Sequence, residues 1–175
     1  MNLVIINRQR TKKINTRLLK QIVGGLFAEL NITEAELGIN LVGKREMSLV
    51  NETFLQHAGS TDVITFDHAL GVPPSGGSTS KKTGRANRLK PELQTLHGEL
   101  FVCVDDAISQ AKNFKTSWQS EVVRYIVHGV LHLLGHDDLK PPLRRKMKRE
   151  ENRLVHLLAK RFSLAQLSRL AKISA

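Results

Sequence analysis

An α+β domain is expected from this chain, and three features of the sequence point to it. Val- and Ile-rich runs of strand length are interspersed with amphipathic stretches of helical period. The stretch from Glu121 to Leu134 is apolar nearly all round, which marks a helix buried inside a domain. The 175 residues, 41% of them hydrophobic, are enough for one domain with a substantial core.

In chain order, Leu3 to Asn7 reads as a first strand. Thr16 to Leu30 reads as an amphipathic helix, with Leu18, Leu19, Ile22, Val23, Leu26, Phe27 and Leu30 at helical spacing. Gly24-Gly25 interrupts it and suggests close packing. Leu37 to Val42 is a second strand, Lys44 to Gln56 a short helix around Met47, Val50 and Phe54, and Asp62 to Phe66 a third strand. Residues 68–97 read as an irregular basic loop with Pro73-Pro74 and Gly76-Gly77, followed by Lys81, Lys82, Arg85, Arg88 and Lys90. A loop of that composition is solvated, and it could order against RNA phosphates.

Glu99 to Val104 reads as a fourth strand and Asp105 to Lys112 as a short helix, with Asp105 or Asp106 placed to stabilise its N-terminus. Thr116 and Gln119 have capping-box spacing for the apolar helix. On that helix Glu121, Arg124, Tyr125, His128 and His132 share a stripe, and Arg124 is a candidate phosphate contact one turn before His128. Pro141-Pro142 marks a turn before a last helix from about Leu143 to Ala159. Residues 160–175 form a basic, weakly amphipathic tail with Phe162, Leu164, Leu167 and Leu170.

The chemistry concentrates at His128 and His132. They are four residues apart, so both imidazoles project from one face of the helix. Buried imidazoles need partners, and a shared metal ion supplies one to both. Gly135 stands where a helix would end in a left-handed turn, after which the chain can bring His136, Asp137 or Asp138 back toward the pair. Two helical imidazoles plus one ligand from the following turn is the plan of an open, catalytic zinc site. A zinc protease of the H-E-x-x-H type has glutamate directly after its first histidine. Here that residue is Gly129, which argues against peptide hydrolysis.

The block His128 to Asp138, H-G-V-L-H-L-L-G-H-D-D, resembles the H-G-x-L-H-L-x-G-x-D-H signature of the YbeY family of bacterial rRNA-maturation endoribonucleases. Leu49-Val50-Asn51 with Thr61 to Phe66, and Gly98 to Cys103, resemble two further blocks of that family. The resemblance spans about residues 1 to 158. It implies a small mixed four-stranded sheet flanked by helices, within a domain of residues 1–159. It also implies one zinc per chain on His128, His132 and Asp138, Asp138 standing where the family usually has histidine. His136 is the rival third ligand, and Asp137 a turn or supporting residue. Leu55 stands where the family usually has arginine.

The activity implied is cleavage of single-stranded RNA at a metal site, in maturation of the small-subunit rRNA 3′ end and in ribosome quality control. Ribosomal proteins or GTPases are the implied protein partners. The alternative is a ribosome-associated RNA-binding protein with a structural zinc and little nuclease activity, motivated by Leu55 and Asp138.

Charge agrees with a polyanionic partner: the net charge is +11, and eleven basic residues against two acids lie between Lys140 and Ala175. RNA rather than DNA or a membrane is expected. A single cysteine excludes an internal disulfide and fits a reducing cytoplasm, and Cys103 reads as a small core residue. Leu3 to Ile6 is too short an apolar run for a signal-peptide core.

Overall fold

A computed structural model describes residues 1–68 and 94–168 of the chain. Strands β1 (Asn2–Asn7), β2 (Ile32–Val42), β3 (Val63–Asp67) and β4 (Gln94–Cys103) form one sheet in the order β1-β2-β4-β3. β1 with β2 and β2 with β4 are parallel pairs, and β3 runs antiparallel to β4. This is the mixed four-stranded sheet expected. The helices are α1 (Thr16–Glu29), α2 (Lys44–Val50), α3 (Val104–Phe114), α4 (Trp118–Leu133) and α5 (Pro141–Arg161).

Alternation along the strands separates two cores. Leu37, Ile39 and Leu41 of β2 and Leu96, Leu100 and Val102 of β4 face one way, into a cluster with buried residues of α1, α4 and α5. Val42, Ile64, Phe66 and Cys103 form a smaller cluster under Met47 of α2. Cys103 is fully buried, and burial pushes its thiol up to about 12, against a hydrogen bond from the Asp106 backbone that lowers it. It is an inert core residue, as expected.

α4 is the central helix. Val122, Val127, Val130 and Leu131 are fully buried along it. It lies so close to the sheet that a Cβ on Gly129 would stand 2.7 Å from Leu100 Cδ2 and 3.4 Å from Thr65 Oγ1. The position where a zinc protease carries its glutamate thus admits a side chain only if Leu100 gives way. Gly129→Ala is expected to destabilise the fold by ~1–3 kcal/mol through overpacking, read from the denaturant midpoint. An unchanged midpoint would mean that Leu100 yields freely.

Several boundaries differ from the sequence reading. β2 begins at Ile32 and β4 at Gln94, each five residues before the expected start. Their early residues include Glu34, Glu36 and His97 on the solvent-facing side, which hides the strand pattern. The helix expected over 44–56 is regular only to Val50. It continues as a π turn, Asn51–Leu55, and stops at Gln56 with φ +57°.

Ser117 rather than Thr116 caps α4, accepting from the Ser120 N–H at 3.1 Å, while the Thr116 hydroxyl donates to Glu121 at 2.6 Å. Asp105 and Asp106 lie in the first turn of α3, where acidic groups stabilise a helix N-terminus, as expected, although the N-cap itself is Cys103; Asp105 also accepts from the Lys44 N–H, at the start of α2. Pro141-Pro142 forms the first turn of α5, where a missing N–H and a fixed φ suit a helix start. Gly25 is a close-packing site, its Cβ position 2.9 Å from the Phe162 ring, and Gly24 is not.

Past α5, Leu164–Ser168 forms a 3-10 turn that buries Leu167 in the main core. Most of the expected basic loop, and Leu170 of the tail, lie outside the described residues.

Candidate metal centre

α4 ends in a turn that builds the centre. Gly135 has φ +83°; its N–H donates to the His132 carbonyl at 2.8 Å, and the His136 N–H donates to the Leu131 carbonyl at 3.0 Å. This pair of bonds is a Schellman turn, which glycine permits at no steric penalty. The reversal sets the His136 carbonyl 3.1 Å from Nδ1 of His132 and brings Asp138 Oδ1 to 4.0 Å from its Nε2. Asp137 accepts from the Leu139 N–H at 2.8 Å and so shapes the turn.

His128, His132 and Asp138 converge, with one ligand atom of each lying within 4.8 Å of the others. His136 contributes its carbonyl to this arrangement. Its side chain falls outside the cluster; burial, followed by Lys146, lowers its pKa.

The donor set fits a cation. Nδ1 of His128 is 3.1 Å from Oε2 of Glu151, and Nδ1 of His132 faces a carbonyl oxygen. Both partners are acceptors, so each neutral ring carries its proton on Nδ1 and leaves a lone pair on Nε2. The two Nε2 atoms face each other at 3.0 Å. Two acceptors that close repel unless a positive charge lies between them, and two nitrogens on one tetrahedral zinc stand about 3.3 Å apart. Burial, followed by the neighbouring His128, lowers the pKa of His132 and so favours the neutral ring, the form that ligates. His128, His132 and Asp138 are the residues that could hold a metal ion.

The sequence pattern does not single out Glu151 of α5. It is only 3% exposed and braces the centre from behind. Burial alone would raise its pKa, but hydrogen bonds from His128, Lys148 and Arg124 outweigh that and hold it down to about 2. A signal was present: Glu150 and Glu151 are the two acids in an otherwise basic stretch. Arg124, expected as a candidate phosphate contact, bonds Glu151 through Nη1, which also reaches Asn152 Oδ1 at 2.7 Å.

A cleft of about 250 Å³ opens beside the centre, lined by His128 and Asp138 and by residues of α3, α4 and α5. Its cations are Arg124, Arg144 and Lys148. Arg144 is tied to the centre, its Nε donating to the Asp138 carbonyl at 2.9 Å. Leu55, by contrast, packs against the small core cluster under α2. The position at which the sequence resemblance implied an arginine thus holds an apolar packing residue.

Comparison with known proteins agrees with this architecture. The family described as "Endoribonuclease YbeY" matches residues 4–159. The Endoribonuclease YbeY of Chlorobium luteolum is 29% identical over 158 residues, covering 90% of this chain and 98% of that protein. That of Chlorobium phaeovibrioides is 31% identical over 140 residues, covering 80% of each. That of Salinibacter ruber is 26% identical over 146 residues, 83% of this chain and 85% of that protein. The solution structure of TM1509 from Thermotoga maritima shares the fold, with a TM-score of 0.60 at 18% identity over 99% of both chains.

Proposed function

The chain belongs to the YbeY endoribonuclease family, and from that premise we propose that it is a metal-dependent endoribonuclease that cleaves single-stranded RNA during rRNA maturation. The observation that carries this reading is the His128–His132–Asp138 cluster opening onto a cleft with three cations. Zinc is the proposed ion, one per chain. Two imidazoles and one carboxylate suit it, and three protein ligands leave a fourth position open. A divalent cation bound there would supply Lewis-acid stabilisation of charge developing on the phosphoryl oxygens and would acidify a water molecule.

The chain's own residues do the remainder. The His136 carbonyl and Glu151 orient the imidazoles, so both lone pairs aim at one point. Arg144 and Lys148, on the α5 side of the cleft, attract the phosphodiester and take the place of the arginine that position 55 lacks. Arg124 joins them as a phosphate contact while it braces Glu151. Beyond the cleft, the exposed Arg145, Lys146, Arg149 and Arg153 extend the positive surface along α5 for the flanking RNA. The small-subunit rRNA 3′ end, ribosome quality control and a cytoplasmic setting complete the proposal.

Metal exchange tests it. Cleavage of a single-stranded RNA should stop when a chelator strips the protein and return when zinc is restored, with duplex RNA spared. No cleavage with zinc, manganese or iron would overturn the reading.

A further inference from the structure

We propose that the cleft beside the metal centre is a subsite for one unpaired nucleotide, its base stacked on Phe114 and its phosphate held by Arg144 and Lys148. This rests on the endoribonuclease reading and deepens it.

Phe114 is the last residue of α3 and is 68% exposed. Among the described residues, only the terminal Met1 is a more exposed large hydrophobic. A phenylalanine so exposed contributes little to the core, yet it stands at the rim of the cleft that reaches His128 and Asp138. An exposed ring beside a catalytic centre is what unpaired RNA bases stack upon.

Gln110 lies one helical turn earlier on the same face of α3, and it lines the same cleft. Its amide can both donate to and accept from a base edge. Tyr125 closes the cleft from α4. It is only 5% exposed, and its hydroxyl is a buried polar atom without a hydrogen-bond partner among the described residues. Burial, then Asp62 and Glu121, raises its pKa, so it remains a donor.

Arg144 and Lys148 are one turn apart on α5 and line the cleft with Phe114. The volume of about 250 Å³ is below the usual range for drug-sized sites, so the cleft takes a small part of an RNA strand and leaves the base at its rim, where Phe114 stands. A base stacked and paired within an A-form helix cannot also lie on Phe114, so this subsite would reject duplex by geometry alone. The occupant is therefore the nucleotide adjoining the scissile phosphate, admitted only when unpaired.

The test compares 5′-AMP with ribose 5-phosphate, which has the phosphate and sugar but no base. Equilibrium dialysis would use the full-length, metal-loaded protein, and cleavage of a single-stranded oligoribonucleotide would be measured in parallel. Wild type should bind 5′-AMP about tenfold more tightly than ribose 5-phosphate, the worth of one base–aromatic stack. Phe114→Ala should erase that difference and raise KM more than it lowers kcat. Phe114→Trp should restore both. Arg144→Gln should weaken the two ligands equally.

Equal binding of the two ligands to wild type, or a Phe114→Ala protein unchanged in both assays, would overturn the subsite. Cleavage that persists with Phe114→Ala unchanged removes the subsite and leaves the nuclease reading standing. Phe114-dependent binding of 5′-AMP with no RNA cleavage does the reverse.

Discussion

His132→Ala is expected to lose its metal and its RNA cleavage together, with cleavage down by about a thousandfold, the scale of several kcal/mol of lost charge stabilisation. RNA affinity should survive, because Arg144, Lys148 and the exposed cations of α5 are untouched by the change. The fold should survive as well. His132 is partly exposed at the end of α4, and alanine is a strong helix former. Elemental analysis, a cleavage assay and an RNA-binding titration on the same preparation separate these effects. If folding and affinity collapse with the metal, the ion is structural and the centre is not catalytic.

The same analysis on Asp138→Ala and His136→Ala assigns the third ligand. Metal should be lost with Asp138→Ala and retained with His136→Ala. The side chain of His136 is outside the cluster, and its carbonyl, which orients His132, is unchanged by the substitution. The reverse pattern would require a different turn after Gly135. With Asp138 as the third ligand, a carboxylate in place of an imidazole would make the centre harder and less positive; manganese or iron would compete better there than at a three-histidine site, and a water on zinc would be less acidic.

What could be read from the sequence was local. The helical spacing of His128 and His132, the largely apolar surface of α4 and the left-handed Gly135 each depend on a few neighbouring residues, and each recurs in the structure. What escaped depends on contacts distant in sequence. Glu151 reaches His128 across 23 residues, and only the packing of α5 on α4 sets that distance. The early halves of β2 and β4 do not read as strands because Glu34, Glu36 and His97 face solvent there; pairing of Glu34 with Thr95, Ala35 with Leu96 and Glu36 with His97, not local hydrophobicity, makes those segments strands. Pro141 and Pro142 look alike in a turn and at a helix start, and the residues that follow decide between them.

Glu151→Gln carries the second large effect. The wild-type carboxylate accepts from His128 at 3.1 Å and Lys148 at 2.7 Å, and from Arg124. Glutamine keeps the shape and leaves one oxygen for His128, but two cations lose a buried counter-charge. Breaking such a group should destabilise the protein by ~3 kcal/mol and weaken metal binding by about 10- to 100-fold through looser orientation of His128. The pH dependence has a definite sign. Folding lowers the pKa of Glu151 from an ordinary 4.5 to about 2, so its contribution is complete above pH 4.5 and is lost as pH falls toward 2. Wild type should therefore lose stability more steeply than Glu151→Gln through that window, and the two curves should converge at its acid end. Denaturant titrations at pH 7, 4.5 and 3 on both proteins measure this. Parallel curves would mean that the carboxylate is not the acid-sensitive brace of the centre.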